Sequence, residues 1–400
     1  MDSSRPPADA ERSRRSNMAF FKSRWVDPPA GVEELDPAGL APGFRAGTAH
    51  CGLKGGGKTD VGLVVCDAPE VASSILLTRN ASSAAPVRVC RDRCRQGEIR
   101  AAVVNAGNAN AETGEQGYAD AVAMVDAAAA QLGLPPETVA VAETGVIGVP
   151  LPIDAVLGGI GDAAAGLSES GGIAFSEAIM TTDRWPKRCT LRASGVTISA
   201  QAKGGGMIQP GFATLLCFVQ TDAVVGDPDS ALRAAGAASF ERITVDGQMS
   251  TNDTVLLQAT GTAGAPLPEG LLDAVLLQLA LEVVADGEGS SRVGRVEVEG
   301  AASQEEAERV TRAIANSPLV KTALFGRDPN WGRIAQAAGM ALAGEDLEEI
   351  GGDSIENAEL GEDVPEAEIG LRLERGEHRA HVWFSDLGYE YVRINAEYTT

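Results

Sequence analysis

Histidine and aromatic residues are scarce in this 400-residue chain, which has three histidines and only 4% Phe, Trp and Tyr. So few rings suit a close-packed α/β interior with tight turns better than an aromatic-lined binding surface. His50, His378 and His381 supply a Ser-His-Asp arrangement poorly, and the HxxH spacing of the last two lacks further ligands. The six cysteines (Cys51, Cys66, Cys90, Cys94, Cys189 and Cys217) form no CxxC pair. Cys90 and Cys94 have no second cluster or neighbouring histidine to complete a zinc site, so the expectation is no metal, and reduced thiols in a cytoplasmic protein. Positive charge is also short: 33 basic residues against 56 acidic ones give a net charge of -23. Such a field repels nucleic-acid backbones and anionic membranes and does not oppose a cationic amino-acid substrate. About the first 25 residues hold no apolar run of the length a signal peptide or membrane span requires. The first residues carry Arg5, Arg12, Arg14 and Arg15 among Ser, Pro and acidic residues, and residues 1–36 read as a disordered extension.

What the chain does have is aliphatic residues, alanine and 47 glycines. Short apolar runs at 61–66, 99–104, 139–142, 215–219, 254–257, 293–298 and 391–394 read as strands. Alanine-rich or amphipathic stretches at 118–132, 227–240 and 304–317 read as helices. The two kinds interleave along the chain without internal repeats, which points to an α/β or α+β protein. No low-complexity linker divides it, and the glycine-rich 158–172 and acidic 345–368 read as surface segments.

Two glycine-rich segments carry candidate chemistry. Gly52-Leu-Lys-Gly-Gly-Gly57-Lys58-Thr59 satisfies the phosphate-loop pattern, but that loop requires a buried strand before it and a helix after it. Here residues 44–51 are small and polar and residues 60–66 read as a strand, so a glycine-rich hairpin is expected. The second segment runs from Lys203 through Gly204-Gly-Gly-Met-Ile-Gln-Pro-Gly-Phe to Ala213-Thr214 and then into the apolar run. It places one hydroxyl residue where flexible backbone meets a strand.

This second segment resembles the processing site of the ornithine acetyltransferase (glutamate N-acetyltransferase) family, the bifunctional type of arginine biosynthesis. Further motifs resemble the family's in the family's order: Asn105-Ala-Gly-Asn-Ala-Asn-Ala111, Thr144-Gly-Val-Ile-Gly148, Ile179-Met-Thr-Thr-Asp183, Thr244-Val-Asp-Gly247 and Ser250-Thr-Asn-Asp-Thr-Val255. Asp286-Gly-Glu-Gly289, Phe325-Gly-Arg-Asp-Pro-Asn-Trp-Gly332 and Asn395-Ala-Glu-Tyr-Thr-Thr400 complete the series. The similarity runs from about Pro37 to Thr400.

The resemblance implies an αββα sandwich of the kind shared with self-processing aminopeptidases, with additional α/β elements. It implies cleavage between Ala213 and Thr214 into an α chain (37–213) and a β chain (214–400), assembled as a heterotetramer of two of each. Thr214 is the implied nucleophile. Its new α-amine, with an ordinary pKa of about 8, can serve as base, so no histidine is needed. Thr144 and Gly145 are the implied oxyanion hole. Thr181 (with adjacent Thr182 as the alternative), Lys203, Thr214, Glu288, Asn395 and Thr400 are the implied substrate-binding positions, Lys203 suiting a carboxylate and Glu288 an ornithine ammonium. The implied reaction moves acetyl from N-acetylornithine to glutamate by a ping-pong route without a cofactor, with acetyl-CoA a further donor in some members. A threonine amidohydrolase or peptidase, or a non-cleaving binding protein, are the alternative readings. Two positions depart from the family pattern: Glu143 stands where serine is more usual, and Gly211-Phe212 where Asn-Met is commoner. A carboxylate at 143 that faced the site would disfavour the oxyanion.

Overall fold

The structure, a computed structural model, describes residues 20–209, 215–346 and 349–397. Two sheets stacked face to face form its centre. The smaller has the order β2-β3-β5-β6, comprising β2 (Phe44–Ala49), β3 (Val61–Cys66), β5 (Ala101–Asn108) and β6 (Val139–Val146). Every residue of β3 is buried, as expected for an apolar run with no polar alternation. β5 and β6 run parallel, and the crossover that this requires is α2 (Gly114–Leu132).

The larger sheet has the order β1-β7-β8-β9-β11-β4, with β1 (Glu33–Glu34), β7 (Lys187–Ala193), β8 (Val196–Lys203), β9 (Leu216–Thr221), β11 (Thr254–Ala259) and β4 (Ala72–Leu77). Alternation along β9 and β11 shows how the layers stack. Leu216, Phe218 and Leu256 share a core with the smaller sheet, whereas Cys217, Val219, Val255 and Leu257 enter a second core with the helices beyond. Those helices are α5 (Pro228–Ala238) and α6 (Leu271–Ala285). On the opposite outer face lie α1 (Ala85–Arg93), α2 and α3 (Ile153–Ala165). The layers are therefore helix, sheet, sheet, helix: the expected αββα sandwich.

Beyond it lies a five-stranded sheet of order β10-β15-β12-β14-β13: β10 (Ile243–Thr244), β15 (His378–Ser385), β12 (Val293–Ala301), β14 (Glu366–Arg372) and β13 (Ile355–Glu356). α7 (Gln304–Asn316), α8 (Pro318–Gly326) and α9 (Trp331–Ala341) build its own core around Val296, Val298 and Phe384. α6 runs between this sheet and the sandwich, which explains why it is apolar on nearly all sides. Among the described residues no helix is long and apolar enough to cross a membrane.

Two sequence expectations are corrected: residues 20–36 of the stretch 1–36, read as a disordered extension, pack into the fold, with Phe20, Phe21 and Val26 buried and β1 paired with β7, and one run read as a strand is helical. Residues 391–394 belong to a helix, α10 (Tyr389–Glu397), because four residues are too few to separate a two-residue from a 3.6-residue period. The stretch 158–172 lies at the surface, most of its residues exposed or half-buried, and part of it is helical: it contains the end of α3 and leads into α4 (Gly172–Ala178). Its glycines permit close packing, since a Cβ on Gly159 would stand 3.0 Å from Cys51 Cβ and 3.2 Å from Val61 Cγ2.

Candidate active site

The end of β6 brings Thr144 and Gly145 to one wall of a cleft of about 340 Å³, whose lining also includes Thr181, Lys203, Glu288 and Asn395. Six of the sequence-derived positions thus meet in one place. Ala213 and Thr214, with the neighbouring Gly211 and Phe212, and Thr400 lie outside the described residues.

Gly145 has φ +135°, and a Cβ there would stand 2.3 Å from the Gly107 carbonyl carbon. Only glycine fits both the conformation and the space. Thr144 is buried, and its hydroxyl oxygen lies 3.2 Å from Lys203 Nζ. Lys203 ends β8, is itself buried, and also donates to Thr181 Oγ1 at 2.7 Å. Thr182 borders the cleft too, but the hydroxyl that Lys203 engages is that of Thr181. Burial lowers the Lys203 pKa, against the opposing pull of Asp183.

Asp183 organises this corner. Its Oδ1 accepts from Gly204 N at 2.7 Å and from Lys187 Nζ at 2.7 Å, and its Oδ2 accepts from Thr181 N at 3.0 Å. Lys187 also donates to Asp286 Oδ2 at 2.6 Å, and Arg184 Nε donates to Asp286 Oδ1 at 2.9 Å. Burial pushes the Asp183 carboxyl upward, but Lys187 and Lys203 outweigh it and hold the group well below the ordinary range. Asp183 and Asp286 stand inside motifs noted in the sequence, yet only their pairing reveals what they do. Their signal was an acidic residue ending or beginning a motif that approaches the substrate positions.

Glu288 lies across the glycine run that follows Lys203. Its backbone N–H donates to Gly205 O at 2.8 Å, and a Cβ on Gly206 would come within 2.6 Å of Glu288 Oε1. The glycines therefore let the carboxylate approach the backbone. Glu288 Oε2 accepts from Asn395 Nδ2 at 2.8 Å, tying α10 to the cleft. Below the run, Asp246 accepts from Met207 N at 2.6 Å and Ile208 N at 2.9 Å.

Where the chain resumes after the undescribed stretch, Leu215 N donates to Asp253 Oδ1 at 3.1 Å. Asp253 is fully buried, and burial raises its pKa well above the ordinary aspartate value, against the hydrogen bonds from Leu215 N and neighbouring hydroxyls. Glu143 faces away from the cleft. Strand alternation turns it beneath α2, where its carboxyl accepts from Asn105 Nδ2 at 2.5 Å and Asn110 Nδ2 at 2.9 Å. Burial pushes its pKa up to about 8, so this carboxyl places little negative charge next to Thr144 at neutral pH.

The segment 52–59 is a hairpin connection: β2 and β3 pair antiparallel, and no α-helix follows it. His50 and His378 are exposed, and His381, packed edge-on against Trp383, is held down to about 4 by burial and by Arg295. None of the three lines the cleft.

Residues 45–400 match the model of the ArgJ family. The "arginine biosynthesis bifunctional protein ArgJ" of Symbiobacterium thermophilum is 44% identical over 391 residues, covering 90% of this chain and 97% of the relative. The protein of the same description from Thermus thermophilus is 43% identical over 388 residues, covering 90% and 99%. Among solved structures, the ornithine acetyltransferase of Mycobacterium tuberculosis complexed with ornithine is 35% identical, with a TM-score of 0.43, over 46% of this chain and all of that one. On the match that spans residues 45–400, and on identities above two-fifths across nine-tenths of its length, the chain belongs to the ArgJ family.

Proposed function

We propose that this ArgJ-family chain is an acetyltransferase of arginine biosynthesis that cleaves itself between Ala213 and Thr214 and carries acetyl groups on the Thr214 hydroxyl. The observation that carries the reading is the meeting of Thr144, Thr181 and buried Lys203 at one cleft, with Lys203 paired in the sheet to Leu216, two residues along the sequence from Thr214. The bifunctional naming of relatives at 44% and 43% identity supports the same chemistry.

In the proposed cycle the freed α-amine of Thr214 accepts the hydroxyl proton as Oγ attacks the acetyl carbon of N-acetylornithine. Thr144 and Gly145 donate to the oxyanion. The C–N bond breaks, the proton passes to the departing ornithine amine, and an acetyl ester remains on Thr214. The glutamate amine then attacks that ester, forming N-acetylglutamate and returning the hydroxyl. Lys203 and Thr181 suit the substrate carboxylate, and Glu288, held by Asn395, suits the side-chain ammonium of ornithine. Thr400 completes the proposed substrate set. The processed α and β chains stay together and pair into a heterotetramer in the cytoplasm.

Intact mass measurement tests the first step: the wild type should give two fragments, and Thr214→Ala a single chain of 41.2 kDa. A wild type that stays whole overturns the reading. Incubation of acetylornithine with and without glutamate tests the second, because deacetylation indifferent to glutamate marks a hydrolase instead.

A further inference from the structure

Ser250-Thr-Asn-Asp-Thr-Val255 stands out in the sequence, yet the proposed cycle uses none of its residues. It forms the corner that leads into β11, and Ser250, Thr251 and Asn252 line the cleft. Asn252 is only 3% exposed. Its Nδ2 donates to Glu143 O at 2.9 Å and to Ala109 O at 2.6 Å, while its Oδ1 accepts from Thr251 Oγ1 at 2.6 Å. A primary amide has two N–H donors, so both are engaged by carbonyls.

These bonds cross between the stacked sheets. Glu143 belongs to β6 and Ala109 follows β5, both of the smaller sheet, whereas Asn252 precedes β11 of the larger one. The next residue holds the larger sheet: Asp253 Oδ1 accepts from Leu215 N at 3.1 Å, and Thr254 N donates to Leu215 O at 3.0 Å. Two successive residues thus hold the residue before Thr144 and the residue after Thr214. With cleavage after Ala213, the Asn252 bonds also join the two chains.

The Glu143 carbonyl and the Thr144 N–H are two ends of one planar peptide unit, so holding the carbonyl sets the direction in which Thr144 leaves it. An anchor matters here because Gly145 follows, at φ +135°, and a glycine has backbone freedom that only its neighbours can restrain. The Glu143 side chain is pinned as well, by Asn105 and Asn110.

We propose that Asn252 is a positioning residue for acyl transfer, fixing the Glu143–Thr144 peptide so that Thr144 and Gly145 keep their aim at the oxyanion. This role rests on the proposed oxyanion function of Thr144 and Gly145. Asn252 acts through the peptide it holds, since its amide protons are already engaged.

Asn252→Ala, Thr144→Ala and the double variant test this against wild type, with acetylornithine and glutamate as substrates and kcat expressed per processed chain, as counted by intact mass. Asn252→Ala should lower kcat by about 100-fold with KM for both substrates within about twofold, the scale of a reacting group displaced by about 1 Å. In the Thr144→Ala background the same change should cost about fivefold or less, because a residue that acts through another is coupled to it. Equal factors in both backgrounds, the mark of a purely structural role, overturn the proposal. So does an unchanged kcat, or a loss confined to KM. Asn252→Ser keeps one donor and leaves a smaller gap, and it replaces Asn252→Ala if that variant does not fold or process. It should show an intermediate loss in kcat and the same non-additivity, and additive factors there overturn the proposal equally. A wild type inactive on acetylornithine, or an unaffected Thr144→Ala, overturns the underlying oxyanion reading, which the failures of Asn252 leave standing.

Discussion

The ammonium of Lys203 lies 3.2 Å from the hydroxyl oxygen of Thr144. Lysine has donors and no acceptor, so the Thr144 oxygen accepts and its own proton is left to point into the cleft. Thr144→Ala should therefore lower kcat by about 100- to 1,000-fold with little change in KM, the cost of losing one oxyanion donor. Thr144→Ser should recover much of it. Steady-state kinetics with acetylornithine and glutamate measure both, and an unaltered kcat in the alanine variant would remove Thr144 from the oxyanion site.

The Asp183–Lys187–Asp286 cluster is fully buried. Lys187→Met leaves two carboxylates without their shared cation and should destabilise the protein by about 3–5 kcal/mol. Because Asp183 is held below its ordinary 3.8, its contribution is complete above that pH and fades as the pH falls further. Denaturant unfolding of wild type and variant should accordingly show the largest difference near pH 7 and a shrinking one below about pH 4.

Glu143 gives the opposite pH dependence. Its carboxyl rises from 4.5 to about 8 on burial, so the folded state holds a proton that the unfolded state releases between those values. Wild-type stability should fall as pH rises through that window, by on the order of a few kcal/mol. Glu143→Gln keeps the shape without the titration and should flatten the profile between pH 5 and 8, as read by unfolding across that range.

Glu288, the proposed partner of the ornithine ammonium, is oriented by Asn395, whose Nδ2 donates to its Oε2 at 2.8 Å. Glu288→Gln should raise KM for acetylornithine by about tenfold, the loss of one charge-assisted pair, with a smaller effect on a phosphate-free thioester donor that carries no ammonium. Equal effects on both donors would assign Glu288 to the chemistry rather than to ornithine.

Much of the fold was legible because strand patterning is local. The runs at 61–66, 139–142 and 254–257 all lie in observed strands, and 118–132 and 304–317 coincide closely with α2 and α7. Residues 391–394 were misread because so short a run carries no decisive period, and their helical state matters: it places Tyr391 and Asn395, four residues apart, at the same cleft. The stretch 158–172 does lie at the surface, but its glycines gave no sign of the helix that ends within it, because closeness of packing leaves no local mark distinguishing it from a turn.

The sequence by itself determined the order of the motifs, the strand that follows Thr214, and the scarcity of histidine, since residue identity and short-range periodicity are properties of the chain. Tertiary structure alone decided that Lys203 meets Thr144 from 59 residues away, that Asp183 and Asp286 share Lys187, and that Glu143 turns from the cleft. Those relations arise from two sheets stacking face to face, which brings distant strand ends together and sends alternate side chains of one strand into different surroundings.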